Sequence, residues 1–180
     1  MDRQQALETL SAPGMPLEMV DAKVYGRTRR TYKNAPKSLR ELFTQTLSEE
    51  TFLVFEAERY SFNETWQLAS AIGHGLVTDY GIGKGDRVAI CMRNFPEWII
   101  AFQAITSVGA IAVALNSLCQ AEELIYGVAD SGCKLLILDQ ERSKLVTDVS
   151  LSCQILVVRG DTKSIHSSWA ELINRHRDTE

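Results

Sequence analysis

The sequence predicts an α/β fold: a mainly parallel sheet flanked by helices, with a small antiparallel N-terminal addition. Three observations carry this. From Asp86 to Gly160, short apolar runs alternate with amphipathic helical stretches, the order that builds a parallel sheet through right-handed crossovers. The runs DRVAICM, AIAVAL, KLLIL and QILVVRG are apolar at most positions, as strands covered on both faces must be. Caps and breakers fall between the runs, where helices have to start and stop.

The elements follow in order. Residues 1–37 hold three of the four prolines (Pro13, Pro16, Pro36) and read as an irregular lead-in. Within it, VYGRT is suited to turn a hairpin at Gly26. The basic cluster of Arg27, Arg29, Arg30 and Lys33 fits a solvated edge strand better than a docking face for an anionic partner. Residues 38–180 form the α/β body. SLRELFTQTLS reads as a short helix with Leu39, Leu42, Phe43 and Leu47 on one stripe. TFLVFEAERYSF reads as two short strands joined by a tight turn near Ala57 and Glu58. Ser61 and Glu64 form a capping box. The helix they open runs over 62–80, buries Ala69, Ile72, Leu76 and Tyr80, and stops at Gly81.

Four strand–helix units come next. After DRVAICM, Asn94 is placed to cap a helix with Pro96 in its first turn and Glu97 three residues beyond the cap. Trp98, Phe102 and Ile105 give that helix an inner stripe, and Gly109 ends it. AIAVAL leads to the helix AEELIYGVADSG, which ends at Gly132. KLLIL leads to a weaker helix, DQERSKLVTDV. After QILVVRG, Ser168 and Glu171 box the last helix, WAELINRH.

Composition excludes several functions. A net charge of −4 with 23% charged residues gives no basic face for nucleic acid. No stretch approaches the roughly 20 apolar residues of a membrane span. The opening MDRQQALETL is too polar for a signal peptide, and a cytoplasmic location is expected. Cys91, Cys119, Cys133 and Cys153 form no CxxC motif and read as free thiols of a reducing compartment.

The candidate chemistry is sparse. GIGKGD, from Gly81 to Asp86, is glycine-rich, but it follows a helix and precedes a strand. A phosphate cradle needs the opposite order, so that helix N-terminal amides face the anion. The strand-to-helix turn CMRNFPEW has no glycine, which argues against a dinucleotide site or a flavodoxin-like nucleotide binder. His74, His166 and His176 each lack a neighbouring ligand in sequence, so no metal site is assigned. Glu122 and Glu123 fall in a helix first turn, where carboxylates favour the dipole. Trp66, Phe95, Trp98 and Phe102 fit core packing better than an acyl pocket. No catalytic, cofactor-binding or metal residue is assigned.

With the residues read, a resemblance appears. YSFNET resembles the strand-to-helix entry of the AMP-forming acyl-CoA synthetases, luciferases and peptide-synthetase adenylation domains. GIGKGDRVAICMRNFPEWIIAFQAITSVGAIAVALN resembles their next strand–helix–strand, including the Gly-Asp-Arg-Val and Asn-x-Pro-Glu elements. AEELIYGVADSGCKLLILD resembles the unit after it, and SAPGMPLEMVDAKVYGRTRRTYKNAPKSLRELF resembles the lead-in of a bacterial fatty-acid subgroup. Ala114 and Gln120 depart from the family's usual proline and threonine.

The resemblance implies the N-terminal subdomain of an acyl-adenylate-forming ligase. The parent would convert a fatty acid or other carboxylate to acyl-adenylate with ATP and Mg2+, then to acyl-CoA with CoA. The family performs this with a Ser/Thr/Gly-rich phosphate loop ending in lysine, an acidic magnesium ligand, a ribose-binding aspartate and a C-terminal lysine. None of these maps onto the 180 residues. The chain alone is therefore expected to be inactive, to pack against an adenylation half, and to self-associate through apolar surface left open. The reading frame is expected to continue past Glu180 and to reach the phosphate loop within about 40 residues. The alternative is a short non-catalytic paralogue acting as a binding or interaction module.

Overall fold

In the computed structural model, which describes residues 2–160 and 167–177, the chain divides into two units, Met1–Ser38 and Leu39–Glu180. The first unit is more regular than its prolines suggest. Helix α1 spans Arg3–Ser11. It is opened by Asp2, whose carboxylate accepts the Gln5 N–H at 2.9 Å while the Gln5 side chain accepts the Asp2 N–H at 3.1 Å. Strands β1 (Met19–Val24) and β2 (Arg27–Tyr32) pair as an antiparallel hairpin. Tyr25 and Gly26 turn it, both at positive φ, the backbone of a type I′ turn. Arg27, Arg29 and Arg30 are exposed along β2.

In the second unit, α2 (Leu39–Gln45) is followed by an antiparallel hairpin of β3 (Thr51–Phe55) and β4 (Glu58–Ser61). The turn sits at Glu56–Ala57, one residue earlier than expected, with Glu56 left-handed at φ 48°. Helix α3 spans Phe62–Thr78 and is held by the expected box: Ser61 Oγ accepts the Glu64 N–H at 3.1 Å, and the Glu64 carboxylate accepts the Ser61 N–H at 2.8 Å. It stops two residues short of Tyr80, and Gly81 takes the left-handed turn at φ 63°.

A five-stranded parallel sheet forms the centre. Its strands are β5 (Arg87–Cys91), β6 (Ile111–Ala114), β7 (Leu135–Asp139), β8 (Gln154–Val158) and β9 (Ser167–Ser168), in the order β6-β5-β7-β8-β9. Helices α4 (Pro96–Ser107) and α5 (Ala121–Ser131) are the first crossovers. The weak helix after β7 is one turn, α6 (Gln140–Ser143), continued as a 3-10 turn over Lys144–Val146. Helix α7 spans Trp169–His176.

Alternation along the strands divides the core between two faces. Val88, Ile90, Leu135, Ile137, Leu156 and Val158 pack with α3, α4 and α7. Ala89, Cys91, Leu136, Leu138 and Val157 pack with α5. Both faces of β5 and β7 are covered, so these strands read as unbroken apolar runs. Each fully buried Leu or Ile contributes roughly 1.5–3 kcal/mol. Helices α3 and α7 approach closely at Gly75, where an added Cβ would lie 2.6 Å from Leu172 Cδ1.

Three local expectations are corrected. Asn94 does not cap α4; Phe95 stands at the N-cap without a side-chain bond, and Pro96 opens the helix. Pro96, Ile100, Ala101, Gln103, Ala104 and Ile105 are the buried residues of α4, while Trp98 and Phe102 are half-buried and pack against the same core. Phe102 also meets Phe43 of α2, edge-on at 6.5 Å. Ser168 makes no side-chain cap on α7, because Ser167 and Ser168 instead extend the sheet as β9.

Candidate functional site

The strand order fixes where a ligand would meet this sheet. From β5 the chain crosses through α4 to β6 on one side, then through α5 back to β7 on the other. The order reverses between β5 and β7, and open α/β sheets take ligands in the crevice outside the carboxyl ends at such a reversal. A cleft of about 290 Å3 lies there, lined by Arg93, Ser117, Cys119, Gln120, Glu141 and Arg142 among others.

Two of these residues, Arg93 and Arg142, are held by Asp139, the last residue of β7, 2% exposed. One carboxylate oxygen accepts the Arg93 N–H at 2.9 Å and the other accepts the Arg142 N–H at 2.9 Å. The Arg142 Nη1 reaches both oxygens, at 3.3 and 3.1 Å. Arg142 is itself buried, donates Nε–H to the Ser117 carbonyl at 2.7 Å and pairs with Glu141 at 2.8 Å. Burial opposes its charge, but the Asp139 and Glu141 carboxylates outweigh that and hold its pKa above the ordinary arginine value. Asp139 thus ties together the turn after β5, the helix after β7 and, through Arg142, the loop after β6. Arg93 differs: its exposed guanidinium makes no hydrogen bond or ion pair among the described residues. It is the group of this cleft available to an anion.

Next to the turn after β5, Arg159 closes the end of β8. It donates two bonds of 2.9 Å to Glu58, and its Nε–H donates to Glu97 at 3.1 Å. Its guanidinium lies 5.1 Å over Phe55 and 4.9 Å over Phe95. The bonds from Arg159 and from the Tyr60 hydroxyl lower the Glu58 pKa. Leu53, Phe55, Phe95, Pro96, Trp98 and Ile99 line an apolar groove beside this clamp.

The remaining sequence candidates fall elsewhere. GIGKGD joins α3 to β5 at the amino ends of the strands; Gly83 donates its N–H to Asp86 at 2.8 Å, and Asp86 pairs with Lys134 at 2.8 Å. It is a structural turn. The glycine-free turn CMRNFPEW has its first free amide, that of Arg93, consumed by Asp139. Glu123 accepts the Gln120 N–H at 2.9 Å and so closes the start of α5 despite the missing threonine. Phe43 bridges Trp66 and Phe102, at 6.5 Å from each, and Trp98 stacks on Phe102 at 5.8 Å. These aromatics pack, while Phe95 and Trp98 also border the apolar groove.

His74 and His176, far apart in sequence, meet: their Nδ1 atoms lie 3.0 Å apart, and His176 Nε2 lies 3.0 Å from Asp79 Oδ1. Arg175 also pairs with Asp79. The His176 bond, seconded by Thr78 and Arg175, lowers the Asp79 pKa. This network bolts α7 onto α3. His166 lies outside the described residues. Among the described residues no cluster of three or more His, Cys, Asp or Glu side chains is disposed to hold a metal ion. The cleft carboxylates are committed to arginines, so this set does not fit a magnesium–nucleotide complex. No helix among the described residues is long and apolar enough to cross a membrane.

The geometry agrees with comparisons to known proteins. Residues 41–178 match the profile of a family described as "AMP-binding enzyme". A 3-hydroxybenzoate–CoA/4-hydroxybenzoate–CoA ligase of Thauera aromatica is 32% identical over 120 residues, covering 65% of this chain and 23% of that protein. A 2-succinylbenzoate–CoA ligase of Bacillus velezensis is 33% identical over 95 residues, 53% of this chain and 20% of that protein. The solved anthranilate CoA ligase AuaEII, in complex with anthranoyl-AMP, superposes with a TM-score of 0.71 at 23% identity, over 77% of this chain and 28% of that one. Coronafacic acid ligase from Pectobacterium brasiliense superposes with a TM-score of 0.68 at 25% identity, over 79% and 30%. The chain thus spans about a quarter of the length of the curated relatives it matches, 23% and 26% for the first two. By the span of the profile match, and with a parallel sheet of the same architecture, this chain belongs to the AMP-binding enzyme family.

Proposed function

We propose that these residues are the N-terminal scaffold of an ATP-dependent, AMP-forming carboxylate–CoA ligase and do not perform its chemistry by themselves. The observation that carries this reading is the match of residues 41–178 to the family with no Ser/Thr/Gly-rich, lysine-ended loop in the 180 residues. Adenylation needs groups converging on the charge that develops at phosphorus. The cleft offers one uncommitted guanidinium, Arg93, and carboxylates already bound. ATP, Mg2+ and CoA then belong to the whole enzyme, and the adenylation half is the partner that covers exposed Leu118 and Tyr126 and the open edge of β6. Self-association is the outcome when that half is absent, and the location is cytoplasmic.

For the acid, the lead-in resembles a fatty-acid subgroup, whereas the relatives' names are those of ligases for hydroxybenzoates and 2-succinylbenzoate. We favour an aromatic or other compact carboxylate, with a fatty acid as the second choice. A chimera tests both levels: residues 39–177 replace the matching segment of the Thauera aromatica ligase. A folded chimera with hydroxybenzoate-dependent CoA ligation supports the scaffold reading. A folded but inactive chimera refutes it. The acid preference is read by supplying benzoates and fatty acids to the complete enzyme encoded with this chain.

A further inference from the structure

The four cysteines, scattered in sequence, gather on one side of the sheet. Cys91 and Cys133 belong to the core under α5, and Cys119 and Cys153 pack against it. One pair stands at the switch-point cleft. Cys91 ends β5 and is fully buried. Beside it, the Leu115 N–H donates to the Ile90 carbonyl at 2.9 Å, so the chain leaving β6 runs along the end of β5. That chain then reverses in a tight turn. The Asn116 carbonyl accepts the Cys119 N–H at 3.2 Å, and the Asn116 side chain accepts the Leu118 N–H at 3.0 Å.

The turn folds Cys119 back over the strand end. The Cys91 thiol donates to the same Asn116 carbonyl, at 3.6 Å from Sγ. One carbonyl is therefore shared by the thiol of Cys91 and the backbone of Cys119, which sets the two residues side by side. Exposure separates their roles. Cys119 is partly exposed and lines the cleft. Burial, with Cys119 beside it, pushes the Cys91 thiol up to about 12, so Cys91 stays protonated and shielded from reagents in solution.

We propose that Cys119 and Cys91 are a peroxide-responsive pair that forms a reversible intramolecular disulfide at the switch-point cleft. The Cys119 thiolate attacks the peroxide O–O bond, forming a sulfenic acid and releasing hydroxide. The Cys91 sulfur then displaces the sulfenic hydroxyl: the S–S bond forms, the S–O bond breaks, and the Cys91 proton leaves with the hydroxyl as water. In sum, two thiols and one peroxide become one disulfide and two waters. The bridge fastens the loop after β6 to the end of β5 and withdraws Cys119 from the cleft wall. This inference goes beyond the ligase reading and does not depend on it.

The test uses the reduced 180-residue chain and hydrogen peroxide. Peptide mapping without reductant should show a Cys91–Cys119 link within one chain, reversed by dithiothreitol. Cys119→Ser should abolish it, and Cys91→Ser should leave a Cys119 sulfenic acid that dimedone traps. If Cys91→Ser fails to fold, timed alkylation of the native chain reads the same asymmetry, with Cys119 modified before Cys91. Oxidation of Cys119 to sulfinic acid with Cys91 still free overturns the proposal. A bridge that joins two chains, or alkylation of Cys91 first, overturns it as well.

Discussion

Replacing Asp139 by alanine should destabilise the second unit by about 3–4 kcal/mol. The carboxylate and the Arg142 guanidinium form a buried pair, their side chains 4% and 6% exposed. Removing one partner of a buried pair costs about 3–5 kcal/mol, because the other charge is left without its counter-ion. Two partners survive on Arg142, the Glu141 carboxylate at 2.8 Å and the Ser117 carbonyl at 2.7 Å, which places the pair loss near the lower bound. Asp139 also caps α6, where it accepts the Arg142 N–H, and such a cap is worth about 1 kcal/mol. Urea unfolding at neutral pH, followed by the fluorescence of Trp66, Trp98 and Trp169, measures the difference. Adding Arg142→Met removes the stranded charge, so the double variant should regain much of the loss, a coupling that a double-mutant cycle reads directly. A loss below about 1 kcal/mol for Asp139→Ala, or a double variant as unstable as the sum of the singles, would refute the view of Asp139 as the tie of the cleft.

Two further outcomes are expected. Gly75→Ala should destabilise the chain by about 1–3 kcal/mol although alanine is the better helix former, because the new methyl meets Leu172 Cγ at 2.8 Å; a Tm equal to or above that of the parent would show that α7 does not dock there. Stability should fall on acidification below pH 5, since Glu58, Asp79 and Asp86 each have folded pKa values below the ordinary 4.5 and 3.8. A lowered folded pKa gives stabilisation that is complete above the unfolded value and lost as pH drops through the folded one, so Tm measured from pH 7 to pH 3 should decline, and a flat profile would contradict the ion pairs.

Much of the sheet was legible because its physics is local. Strands β5, β7 and β8 are covered on both faces, and that burial writes itself as unbroken apolar runs. The start of α3 was legible because Ser61 and Glu64 satisfy each other within one turn. The misses are of two kinds. Some were competing local signals: the prolines of residues 1–37 masked the Asp2–Gln5 box that opens α1, and Asn94 suggested a cap one residue before the helix takes up its first turn. Others depend on contacts invisible in sequence. The two residues of β9 are a strand only because β8 lies beside them. Trp98 and Phe102 stay at the rim of the core rather than inside it, and Phe102 meets Phe43 of α2, a contact no local pattern announces. The cleft belongs to this second kind. Asp139 and Arg142 are three residues apart, but their meaning comes from Arg93 and Ser117, delivered by two other crossovers. His74–His176 and Cys91–Cys119 likewise need the fold before they become pairs. No alignment of motifs within the chain would have found them; the strand order, once known, points to the cleft directly.

On the reading proposed above, these residues supply the architecture of an AMP-binding enzyme and not its adenylation chemistry. Carboxylate-dependent ATP–pyrophosphate exchange decides this, run on the purified, folded 180-residue chain with hydroxybenzoate and with a fatty acid in the presence of Mg2+. Exchange should be no greater than that of a heat-inactivated sample with either acid. Exchange well above that background, lost when the acid is omitted, would contradict it, because the groups that act at phosphorus would then have to lie within these residues.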